Sequence, residues 1–417
     1  MEQGKPEWVK HLLDLLKQAK EADEDLERFG AAAHAYKLAS PAKEEAIQKF
    51  EQKYGIRLPE EYRDFLRLVG NGGAGPFYGL FGLKKLRQEL EDSDISELLA
   101  QDVMIHPKMS DEEWEEMIDS VDNPYTGILP IESQGCTLMT GLVLNGPYRG
   151  RVVYYDEDLC GQPFFMREAG FLAWYERWLR EVIAGYDDEE QEFGISVDGN
   201  PQQLMELYQQ TSDAEEKADI VDSYYKFDAL PQEQEEYFCQ MCAHETDRTV
   251  QMHLVKMLFH FGAARAQEEA ERLWECGAWG EVITVISEEG NNADRERWIA
   301  RTLEKMPVLR GEPLRNACGI IGMVVEEDRR ASRAPRVCAN SLRAVLLRED
   351  LDRNERIMLF YCMSHMEGKE EVLDYFQTYL PAEEDINVLN SAVHAMCDVI
   401  DPRMLKMRVM LLVKYRN

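Results

Sequence analysis

The sequence predicts an α+β domain in its first half and an all-α array in its second. Three observations predict this. Between residues 43 and 186, helix-spaced apolar faces give way to short strands and then to a closing helix. Asn145-Gly146, a strong turn signal, stands between two of those strands. From Pro201 onward no strand-like alternation occurs, and helix-start signals recur instead.

Residues 1–42 read as a helical extension. Trp8, Leu12, Leu15 and Leu16 recur at helical spacing within 5–38, and Glu21-Ala22-Asp23-Glu24-Asp25 reads as a solvated face. Ser40-Pro41 starts the next helix, with Pro41 at its first position. Ala46, Ile47, Phe50 and Tyr54 make its apolar side, and Gly55 sits where a C-terminal cap belongs. A helix over 60–69 then buries Tyr62, Phe65, Leu66 and Val69. The glycine-rich stretch 70–75 ends it, and a short strand is expected over 77–83.

Residues 84–127 look like an acidic, mostly helical insertion, in which Ser110 and Glu113 form a capping box ahead of Trp114 and Met117. Strands follow at 128–131, 137–144 and 151–156, with Phe164 and Phe165 as a candidate fourth. A helix over 171–183 closes the domain, presenting Leu172, Tyr175, Leu179 and Val182 on one face. The acidic run 187–192 opens a linker over 187–200, and the helical array occupies 201–417. Its helix starts fall near Gln202, Asp213, Pro231, Asp247, Arg265, Asp294, Ser332, Asp352 and Pro402. Paired units of roughly 16 residues match an irregular HEAT-like stack.

The strings Phe50-Glu51, Tyr54-Gly55-Ile56, Leu58-Pro59-Glu60-Glu61-Tyr62, Phe65-Leu66 and Asn71-Gly72-Gly73 resemble the opening signature of the SUKH superfamily, the Smi/Knr-type regulator and toxin-immunity proteins. Leu129-Pro130-Ile131, Gly141, Asn145-Gly146 and the stretch from Gly150 to Asp156 are similar to its second half. The resemblance covers residues 43–186, and the insertion at 84–127 and the helical second half depart from the minimal pattern. The motif is structural: Leu58-Pro59 places an apolar side chain just before a helix, and Asn71-Gly72-Gly73 tolerates positive φ after it.

What the resemblance implies is a non-catalytic protein-binding domain. Bacterial relatives commonly neutralise secreted nuclease or deaminase toxins, and fungal relatives act in cell-wall regulation. The leading expectation is an immunity or antitoxin protein that binds a cationic toxin. A scaffold or regulator working through its helical array is the alternative, and an undetected enzyme the remote one.

Acids outnumber bases 79 to 47, for a net charge of −32. The excess is shared: residues 1–195 hold 39 acids and 21 bases, and the rest hold 40 and 26. Phosphate contacts need basic patches, so direct nucleic-acid binding is disfavoured, whereas a basic protein partner would be drawn in. No run approaches the roughly 18 apolar residues of a membrane span. Residues 1–10 carry charges and Pro6 without the apolar core of a secretory signal. Nine cysteines at irregular spacing fit reduced thiols in a cytoplasm.

The candidate contact surface is Asp156-Glu157-Asp158, which follows Tyr154 and Tyr155, with Glu132 added from a neighbouring strand. No cofactor and no metal are expected. Gly70, Gly72 and Gly75 match G-x-G-x-x-G, but a helix precedes them where a dinucleotide site needs a strand. Cys239 and Cys242, near His244, are half a zinc motif in an apolar helical pattern and read as core thiols. His253 and His260 share a helix face without further ligands at metal spacing. No nucleophile elbow or Cys–His signature is present, and with so many acids a carboxylate pair carries no information on acid–base catalysis.

Overall fold

The computed structural model describes residues 5–93, 95–186 and 193–414, the side chains of 411–414 excepted. The chain forms two compact units, Met1–Leu230 and Pro231–Asn417.

In the first unit, α1 (Glu7–Ala22) and the short α2 (Ala31–His34) precede α3 (Glu44–Tyr54) and α4 (Glu60–Asp64), which a π-helical turn, Phe65–Val69, continues. The insertion supplies α5 (Leu83–Asp92) and α6 (Asp111–Ser120). Then β1 (Ile128–Gly135), β2 (Leu138–Val143), β3 (Val152–Asp156) and β4 (Phe164–Phe165) form an antiparallel sheet in chain order. The helices α7 (Phe171–Ala184), α8 (Pro201–Gln210) and α9 (Ala214–Asp222) complete the unit.

Both faces of the sheet are covered. On one, Tyr154 packs against Phe77 and accepts a hydrogen bond from Trp174 Nε1 of α7 at 3.2 Å. On the other, Tyr155 meets Tyr125 with ring centroids 4.3 Å apart. Val152 to Tyr155 are therefore all buried, and the inside–outside alternation of a half-exposed strand is absent there.

The signature residues hold this unit together. Gly55 takes the left-handed conformation that caps α3. Glu51 accepts from the Leu58 amide at 3.0 Å and pairs with Arg63 at 3.3 Å, which fixes the entry into α4 after Pro59. Tyr62 and Phe65 are fully buried, edge-on to Phe171 of α7. Asn71 accepts from the Leu83 amide at 3.0 Å and so starts α5. Gly72 and Gly73 have φ of +82° and +108°, and a Cβ on Gly72 would lie 2.3 Å from the Gly82 nitrogen, so only glycine fits.

Several elements differ from the sequence reading. Pro41 does not start a helix: residues 39–42 run alongside the glycine-rich loop, with the Ala39 amide bound to Gly72 and the Ala42 amide to Leu66, and α3 begins at Glu44. Residues 77–83 form no strand. Positive φ at Phe77 and Gly79 breaks the extended run, leaving one bridge from Gly73 to Leu80 and one bond from the Phe81 amide to Ile131. Asp23, expected on a solvated face, is buried; it accepts from the Tyr36 hydroxyl at 2.7 Å and the Glu27 amide at 2.8 Å. The acidic run 187–192 lies outside the described residues, and residues 193–230 belong to the first compact unit.

The second unit is all helix: α10 (Gln232–His244), α11 (Arg248–His260), α12 (Ala266–Glu275), α13 (Trp279–Glu288), α14 (Asn292–Lys305), α15 (Gly311–Arg330), α16 (Arg343–Leu346), α17 (Arg353–Met363), α18 (Leu373–Ala382), α19 (Ile386–Ala395) and α20 (Pro402–Lys414). Each of α10, α11 and α12 packs on the next helix, and α13, α15, α17 and α19 pack in succession. Asp247 caps α11, and Asp352 with Glu355 forms a capping box on α17, where the sequence places them. Ser332, read as a start, follows the end of α15 with φ of +52°.

Candidate protein-binding face

The loop after β3 carries Asp156, Glu157 and Asp158. Asp158 donates its amide to Asp156 Oδ1 at 3.0 Å, and the Tyr125 hydroxyl donates to the Asp156 carbonyl at 2.9 Å, so the loop is fixed. The Thr137 hydroxyl above all, then the Asp158 and Cys160 amides, hold the Asp156 carboxyl below the usual range. Burial, then repulsion from Glu89, Asp158 and Asp156, raises Glu157. Glu157 and Asp158 are exposed and Asp156 is half-buried.

The other residues expected here are placed differently. Tyr154 is 6% exposed, Tyr155 5% and Glu132 0%. Packing on both faces of the sheet covers these three, so none is an exposed anchor.

Other residues supply an apolar surface at that end of the sheet. Leu138 opens β2 directly opposite Asp156 and is 42% exposed. Tyr78 is 46% exposed, and its ring lies over Gly135 at the end of β1, about where a Cβ would come within 3.2 Å of it. Phe29, 51% exposed, stands edge-on to Tyr78 with centroids 5.4 Å apart. Sequence reasoning missed Phe29 and Tyr78, because both lie in turns, where no period marks an exposed side chain. The one available signal was an aromatic pair, Phe77-Tyr78, set among glycines.

Beside this patch opens a cleft of about 480 Å³. Tyr36 and Trp178 stack at 5.9 Å within it, and His34 stands edge-on to both. The Tyr36 amide donates to His34 Nδ1 at 3.0 Å, and burial lowers the imidazole pKa. Leu138 and Gln134 form the sheet side of the cleft, and Glu181 and Lys226 stand opposite on the helical side. Lys226 Nζ donates to the Val197 carbonyl at 2.6 Å and lies 3.6 Å from Glu181; burial pushes its pKa down to about 8.

The acid extends beyond the loop. From residue 109 to 148 there is no lysine or arginine, while α6 alone carries Asp111, Glu112, Glu113, Glu115, Glu116 and Asp119. This helix stands next to the loop, since Trp114 packs on Tyr125 and Gln162 donates to Asp111. An apolar patch with an aromatic-floored cleft thus adjoins an acidic rim, which is the anatomy of a protein-binding face.

The opening signature and the strands that follow it lie in one folded unit, and a family comparison agrees. Residues 41–169 match the SMI1 / KNR4 family (SUKH-1). The SUKH-1 segment takes in α3 to β4 and the insertion, whereas α1, α7 and the residues lining the helical side of the cleft lie outside it. No curated protein and no solved structure matches the chain. Among the described residues no group of three or more His, Cys, Asp or Glu could hold a metal ion, and no helix is long and apolar enough to cross a membrane. Cys239 and Cys242 are buried in α10, and burial raises both thiols, to about 11 and about 12.

Proposed function

We propose that this chain is a non-catalytic immunity protein that neutralises a basic toxin domain, of nuclease or deaminase class, by binding it at the sheet end described above. The observation that carries the reading is the exposed trio Phe29, Tyr78 and Leu138 beside Asp156, Glu157 and Asp158, of which all but Phe29 lie on the segment matching SUKH-1. Toxins that act on nucleic acids need basic surfaces for their own substrates. An acidic rim speeds their approach, and desolvated aromatic anchors hold them.

The partner is captured from the source cell by pull-down and then measured by surface plasmon resonance at low and high salt. Replacing Asp156, Glu157 and Asp158 together by serine slows association and flattens its salt dependence. Phe29→Ala and Tyr78→Ala each cost about 1–2 kcal/mol, expressed mainly as faster dissociation. Unchanged kinetics in all three variants would remove this face. A regulatory role through the helical unit is the second reading, favoured by an open groove between α15 and α17 beside Tyr361, which is 63% exposed. A partner retained by these variants but lost from Tyr361→Ala would support it.

A further inference from the structure

The second unit holds two cysteines that line one groove. Cys318 lies midway along α15 and Cys362 near the end of α17, and the two helices pack directly on each other. The neighbouring Cys318 first, then burial, raises the Cys362 thiol well above the ordinary thiol value.

Although only 2% and 4% exposed, both line an open groove of about 670 Å³. Met323, Tyr361, Gly319 and Gly322 also line it, and Gly319 and Gly322 carry no side chain to fill it. A small oxidant entering this groove meets both sulfurs. The shared groove between two packed helices distinguishes this pair from the surface cysteines: Cys136, Cys160, Cys276 and Cys397 are exposed, as oxidation of single thiols would require, but bonding needs two sulfurs within reach.

We propose that Cys318 and Cys362 are a redox pair that a small hydroperoxide closes into a disulfide, locking α15 to α17 across the groove floor. With hydrogen peroxide, the Cys318 sulfur attacks one oxygen, the O–O bond breaks, and a sulfenic acid and one water result. The Cys362 sulfur then attacks the Cys318 sulfur. The S–O bond breaks, and the departing hydroxide takes the thiol proton as a second water. Two electrons pass from the thiols to the peroxide, and a dithiol reductant reverses the change.

The test uses the full chain. It is exposed to hydrogen peroxide, blocked with an alkylating agent, digested with trypsin without reductant and mapped by mass spectrometry. Cys318 and Cys362 fall in tryptic segments 316–329 and 357–369, each holding a single cysteine, so the cross-linked product is unambiguous. The cross-linked pair appears as the main disulfide and vanishes with dithiothreitol. The oxidised protein gains about 5 °C in the thermal midpoint of its helical unit, because the bond constrains the unfolded chain. Cys318→Ser and Cys362→Ser show no such gain. The proposal is overturned if both segments remain fully alkylated after the exposed Cys136 and Cys276 have been oxidised. This wild-type mapping decides the matter even where a serine variant fails to fold.

Discussion

Glu132 is a carboxyl in a fully buried place. Neither oxygen makes a hydrogen bond of normal geometry, although the Thr140 hydroxyl and the Gly79 amide lie near it. Burial raises its pKa well above the ordinary carboxylate value. The native state therefore binds a proton that the unfolded chain releases first as pH rises, and this group's contribution falls through the window above the unfolded value. Glu132→Gln, which cannot ionise, should flatten that fall. Denaturant titrations at pH 4 and pH 8 are expected to show wild type losing ground to the variant at the higher pH, and an equal difference at both would refute the assignment. Strand alternation could not have located this group: with both sheet faces covered, an acid on β1 and a tyrosine on β3 look the same whether they point to core or rim. The acids of the 156–158 loop needed no such inference, because a charged run after a strand is exposed for local reasons.

Capping shows which elements could be read from sequence. Ser110 accepts from the Glu113 amide at 3.1 Å, and Glu113 accepts in return from the Ser110 amide at 2.8 Å. That box, like the box at Asp352 and the cap at Asp247, involves residues within three positions of each other, so its spacing is visible in the chain. The expected strand over 77–83 failed because its conformation answers to distant partners: Gly73 takes Leu80, Ile131 takes Phe81, and Phe77 turns out of line to meet Tyr154. Ser110→Ala tests how far α6 relies on its cap. The loss is expected to be about 1 kcal/mol, local to the helix. Amide exchange over residues 111–120 should accelerate about fivefold while β1 to β3 keep their protection. Unchanged exchange there would mean that Trp114, packed on Tyr125, holds the helix without its cap.

One buried cation of the first unit draws its partners from both sides of the acidic run. Arg177 of α7 is fully buried, and burial opposes its charge, yet Glu181 and Glu168 outweigh that effect and keep it ionised. Its Nε donates to Glu181 and its Nη1 to Glu168, each at 2.8 Å. Its Nη2 donates to the Ser196 carbonyl at 2.8 Å and hydroxyl at 2.9 Å, and its guanidinium lies over the Phe193 ring. Lys226 shares Glu181 with it. Half of this cage thus comes from residues 193–226, beyond the acidic run at which composition alone suggests a break. Composition marks where charge changes, but a buried arginine needs partners that no local pattern announces. A chain ending at Tyr186 would keep Arg177 buried with fewer partners, and removing partners from a buried ion typically costs about 3–5 kcal/mol. Residues 1–230 made alone are therefore expected to melt cooperatively, with a denaturant midpoint close to that of the first unit in the full chain. Residues 1–186 should lose at least about 3 kcal/mol, or fail to fold. Equal midpoints for the two fragments would put the break at 187–200 and reduce residues 193–230 to an appendage. A shortfall confined to 1–186 would make those residues part of the folding unit, and with them the helical wall of the cleft that Glu181 and Lys226 line.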